Sequence, residues 1–142
     1  MNNFDERRKT IIVQCDGLLE GKRNIVSTID KIKDSNLQGD KLKYALIFVE
    51  VNEIQYCREM EKICNSWLEL ILEINEYIKN KELQHTSAIK YLYDSLKEFI
   101  SMVELLHQDL PDECEEIIVR MDQIFGRCIT KISESTEWIK QG

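Results

Sequence analysis

The sequence predicts an all-α fold: one domain, residues 1–142, built as a bundle of about four long antiparallel helices with an extended second helix. Three observations predict it. Only five Gly and one Pro punctuate 142 residues, too few for an all-β chain, which needs a turn roughly every 8–12 residues. Apolar residues recur at spacings of three and four along four long stretches, the period of a helix face. Short polar segments separate these stretches, and short connections make consecutive helices antiparallel neighbours. Hydrophobic residues form 43% of the chain, enough for a core without disulfides.

The first helix is expected over residues 4–34. Asn3 is placed to cap it, with Glu6 three residues on as the capping-box partner. One apolar stripe holds Ile11, Cys15, Leu18, Ile25, Ile29 and Ile32, and a second beside it holds Ile12, Leu19 and Val26. Two adjacent stripes make a broad face suited to a bundle core. Gly17 and Gly21 are expected to mark a weak or kinked turn.

The segment Ser35 to Asp40 reads as a loop, with Asp40 as the next cap. The second helix is expected over residues 40–80, about 60 Å long. Its stripe runs through Leu46, Val49, Glu53, Tyr56, Met60, Ile63, Trp67, Leu70, Ile74 and Tyr77, interrupted only by Glu53. A local bend near Asn52 and Glu53 is compatible with that interruption. Because this helix outruns its neighbours, one end is expected to project or to pack against another chain.

The third helix is expected over residues 86–108, capped by Thr86 and carrying Ile89, Leu92, Leu96, Phe99, Val103 and Leu106 on one side. The fourth is expected over residues 111–140. Asp109 is placed to cap it, Pro111 suits a first turn, and Glu113, Glu115 and Glu116 favour the positive end of the helix dipole. Its apolar face holds Cys114, Ile117, Met121, Ile124 and Cys128, with Ile118, Phe125, Ile132 and Ile139 beside them.

Charge narrows the function. A formal net charge of −7 argues against nucleic acid, whose phosphates need clustered Lys and Arg; it serves solubility, or a basic partner. The longest uncharged apolar run, Tyr44 to Val49, is far short of the about 20 residues of a membrane span. The apolar run Ile11 to Val13 is too short for a signal peptide. The abundance of Ile, Lys and Asn suits an AT-rich genome, hence a bacterium or its phage.

The five cysteines, Cys15, Cys57, Cys64, Cys114 and Cys128, are odd in number, form no CxxC pair and lie on or beside apolar stripes. They are expected to be reduced core thiols in a cytoplasmic protein. Cys57 and Cys64 lie about 10.5 Å apart along one helix, too far to bridge within the chain.

The two histidines each follow a Glu by three residues, as Glu82-x-x-His85 and Glu104-x-x-His107. Paired motifs of this kind hold two metals in some bundles. Here they lie 22 residues apart, from 85 to 107, about 33 Å along a continuous helix, whereas paired metals sit about 3.5–4 Å apart. No metal, cofactor or catalytic residue is therefore expected, and a Glu-x-x-His metal protein or enzyme is the alternative reading.

The unusual stretch is Leu42 to Ile54, apolar nearly all round. Leu42, Ala45, Leu46 and Val49 are expected to face the bundle. Tyr44, Ile47, Phe48 and Val51 lie on another side of the helix, where they form either a central core or a contact surface. Tyr91, Tyr93 and Trp138 are expected near the bundle edge. The sequence thus points to a non-enzymatic protein-binding module: a small chaperone or secretion accessory, or an acidic inhibitor or adaptor. Its partner is expected to be another protein or a second copy in a homodimer.

Overall fold

A computed structural model describes residues 3–83 and 87–141, with side chains described as far as residue 134. Helix accounts for 91% of the described residues and no strand occurs among them. Four α-helices follow one another: α1 (Phe4–Asp34), α2 (Gly39–Asn80), α3 (Ala88–His107) and α4 (Cys114–Gln141). A 3-10 turn, Pro111–Glu113, leads into α4, so the α-helix itself begins three residues later than the proline alone suggests. The expected cap Thr86 and the histidine His85 lie outside the described residues, as do the side chains of Trp138 and Ile139.

The helix ends depart from the expected capping. Asn3 takes a left-handed backbone, φ 57°, and makes no capping hydrogen bond. Asp40 falls inside the first turn of α2, where its charge still favours the helix dipole. Asp109, expected as the N-cap of the fourth helix, instead ends the third. Its φ is 60°, and the Leu110 amide donates to the Leu105 carbonyl at 3.0 Å while the Asp109 amide donates to Leu106. The end of α2 repeats the motif: Glu82 at φ 55°, with the Leu83 amide donating to the Ile78 carbonyl at 2.9 Å. Both are Schellman closures without the usual glycine. Leu83 and Ile78 are both buried there, which holds the chain in the left-handed state.

α2 is one continuous helix through Asn52 and Glu53. Glu53 is exposed, so its charge demands no bend. α1 is likewise continuous through Gly17 and Gly21.

The helices run antiparallel to their chain neighbours. Phe4 meets Tyr77 edge-on with ring centres 5.7 Å apart, and Arg7 pairs with Glu73. α4 runs antiparallel to α1, tied by Arg8 to Asp122 and by Arg23 to Asp112 and Glu115. α3 and α4 form the most extensive helix pair, with Glu98 facing Arg120. At the centre Trp67 of α2 stacks on Phe99 of α3 at 4.9 Å and leans on Phe125 of α4 at 5.0 Å. Ile63, Leu70, Ile74, Met102, Met121 and Cys128 close the core around them. Each such buried side chain contributes roughly 1.5–3 kcal/mol.

Four-helix packing stops before α1 and α2 do. The tip of the α3–α4 hairpin meets α1 at Lys22 and Arg23, where Lys22 pairs with Asp109 at 2.6 Å and Arg23 with Asp112 at 2.8 Å. Beyond that point α1 and α2 continue as a two-helix hairpin, with residues 39–55 of α2 reaching about 25 Å past the junction. Only Ile25 and Val49 are buried in it.

Candidate functional site

The hairpin carries the largest concentration of exposed apolar side chains on the described surface. Tyr44, Ile47, Phe48 and Val51 are 67%, 45%, 59% and 56% exposed. The structure brings all four to one side of α2, as their spacing requires. Ile54, one turn further on, extends the same face. Leu46 departs from expectation: placed by its period on the bundle-facing stripe, it is 53% exposed. The stripe is continuous, but α3 and α4 end before they reach it.

Phe48 stands beside a groove between α1 and α2 of about 680 Å³. Gly17, Gly21, Thr28 and Lys31 of α1 line one wall, and Asn52, Gln55 and Tyr56 of α2 the other. A Cβ at Gly17 would meet nothing, and one at Gly21 would meet only Tyr56 at an ordinary 3.9 Å. These glycines therefore keep the groove open rather than relieve a clash.

The junction between hairpin and body is polar. Lys22 Nζ lies 5.0 Å above the Tyr56 ring while also pairing with Asp109, a cation–π contact inside an ion pair. The Tyr56 hydroxyl is buried without a hydrogen-bond partner, and burial pushes its pKa up. Asp112 and Glu115 hydrogen-bond to Arg23 and hold its guanidinium firmly protonated. At the opposite end of α1 the hydrogen bond from Arg8 holds the Asp5 carboxyl below its usual range. Of these groups, Lys22 and Arg23 tie α1 to the tip of the α3–α4 hairpin.

The thiols divide into two kinds. Cys15, Cys114 and Cys128 are buried, and desolvation pushes Cys15 and Cys128 up to about 12, which disfavours the thiolate at neutral pH. Cys64 is half-buried and Cys57 is exposed. Cys57 thus corrects the expectation of a core thiol: it lies beside the stripe, on the solvent side. The described residues hold no group of three or more His, Cys, Asp or Glu placed for a metal, and His107 is exposed at the end of α3. No helix among them is long and apolar enough to cross a membrane.

Compared with known protein families, curated proteins and solved structures, the chain matches none. Its functional reading therefore rests on the surface chemistry of the hairpin. Sequence reasoning singled out four residues of that surface and missed Ile54, one turn further along the same face, and Leu46, whose exposure depends on where α3 and α4 stop.

Proposed function

We propose that this chain is a non-enzymatic protein-binding module that works through helix–helix contacts made by the outer face of α2. The observation that carries the reading is the exposure of Tyr44, Ile47, Phe48, Val51 and Ile54 along one side of the projecting hairpin. Soluble chains limit such contiguous apolar surface unless something covers it. Large apolar and aromatic side chains on a presented helix are the usual anchors of a helix-in-groove or helix-pair contact. The net charge of −7 favours encounter with a basic partner. This suits an adaptor, an inhibitor or a small chaperone acting on another protein, in the reducing cytoplasm that five free cysteines fit.

The test is site-directed photo-crosslinking in cells. A photoreactive amino acid at position 48 or 51 is expected to give discrete adducts, and one at the exposed position 130 of α4 none. Equal yields from all three positions, or no adduct from 48 and 51, contradict the reading.

A further inference from the structure

We propose that the occupant of this face is a second copy of the same chain, laid antiparallel along α2 about a two-fold axis at the level of Glu59 and Met60. This rests on the reading of the outer face of α2 as a contact surface and assigns its partner and register. The side of α2 turned away from the core carries exposed residues at 47, 51, 54, 58, 61, 65, 68 and 72, alternately four and three apart. That is a heptad seam of about 38 Å, separate from the stripe that builds the core. Its ends are apolar: Ile47, Val51 and Ile54 on the hairpin, Leu68 and Leu72 on the body. Its middle is charged, with Arg58 and Glu61 one turn apart. Neither makes an ion pair within the chain among the described residues.

One pairing sets the apolar ends against each other and each central charge against its counter-charge. In an antiparallel pair centred between residues 59 and 60, Arg58 meets the partner's Glu61, and symmetry makes the contact twice. In the same register Ile47 meets the partner's Leu72, and Val51 meets the partner's Leu68. Every layer joins one seam position to its opposite type, as antiparallel coiled coils require. A parallel in-register pair would set Arg58 on Arg58 and Glu61 on Glu61. Sliding the antiparallel pair by one heptad would set Arg58 against Ile54 or Leu68, a desolvated charge with no counter-charge. The Asn65 layer, opposite Ile54 and repeated by the two-fold axis, costs stability. The hairpin of each copy then lies along the four-helix body of the other, which covers its apolar face. Beside the axis, Cys57 faces the partner's Cys64 along one flank.

Sedimentation of the full-length chain over a range of concentrations tests this. The wild type is expected to dimerise. Arg58→Glu and Glu61→Arg each create two like-charge contacts and are expected to weaken the dimer on the order of tenfold or more. The double variant Arg58→Glu/Glu61→Arg is expected to regain wild-type association. A short bis-maleimide is expected to trap a covalent dimer of the wild type but not of Cys57→Ser. All three positions are outside the core centre, and unchanged helical circular dichroism confirms that each variant is folded. A monomeric wild type, single charge swaps that associate as the wild type does, or a double variant no better than the singles overturns the proposal. If the chain is monomeric yet position 48 cross-links to another protein, the homodimer falls and the contact reading stands. If position 48 gives no adduct at all, the contact reading falls with it.

Discussion

Leu70 and Leu46 sit on the same continuous helix and on the same helical stripe, yet Leu70 is fully buried and Leu46 is half in water. The difference lies in their neighbours. At Leu70, α2 faces α1, α3 and α4 together, around the stack of Trp67, Phe99 and Phe125. At Leu46 only α1 remains, because α3 spans 20 residues against 42 in α2. The body is thus held by a shared core, whereas the hairpin is held by one helix–helix seam and by its continuity with the body. Apolar side chains stabilise the first region directly. In the second they are left for a partner.

Thiol labelling separates the two environments most widely. Cys57 is expected to react at the rate of a free thiol, Cys64 more slowly. Cys15, Cys114 and Cys128 are expected to be slower than Cys57 by roughly 10³ or more, since they react only when the body opens. Native and denatured labelling followed by peptide mapping gives the rates; fast labelling of Cys128 would mean that the body is not closed. The same truncation at the two leucines should differ next. Leu70→Ala is expected to cost about 2–5 kcal/mol by leaving a cavity in the core. Leu46→Ala is expected to cost less than about 0.5 kcal/mol, as exposed sites do. Equal losses in chemical denaturation would place Leu46 in a core.

A smaller effect is expected at the groove beside the hairpin. Gly17→Ala should raise stability by about 1 kcal/mol, because the helix gains a better former and its Cβ meets nothing. Thermal melts measure the gain. If the groove takes part in the contact, the same methyl lowers association while raising Tm, which would extend the contact surface from α2 onto α1.

Much of this division is legible in the sequence. The ends of α1 match the expected residues 4–34, and the excess length of α2 foretold a projecting end, because helix length follows from the absence of breakers. The sequence singles out Tyr44, Ile47, Phe48 and Val51 as one side of the projection, either core or contact surface, and places Leu46 on the covered stripe, where the structure leaves it exposed. α3 ends at His107, as expected from the sequence, but the role expected of Asp109 differs. An acidic residue before proline reads as an N-cap, whereas here it occupies the left-handed C′ position that glycine usually marks. Glu82 closes α2 in the same left-handed state, and that helix ends at the expected residue 80. Asn3 and Glu6 carry the residue types of a capping box, yet the backbone of Asn3 turns its side chain away from the role. Leu46 departs from expectation because periodicity specifies the face of a helix but not whether a neighbour covers it, and Cys57 because it lies beside the stripe on its solvent side.

The central claim is that the apolar face of the hairpin serves a contact and not the core. Placing the same charge in each region tests it most directly, by comparing the thermal melts and the association of Phe48→Glu and Phe99→Glu. Phe48 is 59% exposed and Phe99 is 6% exposed. The account predicts that Phe99→Glu unfolds the chain or lowers its Tm sharply, through an unpaired charge in the core. It predicts that Phe48→Glu keeps the helicity of the wild type and the Tm the wild type has when dissociated, and loses association with its partner. A Phe48→Glu variant that unfolds as Phe99→Glu does, or that stays folded with association intact, would contradict it.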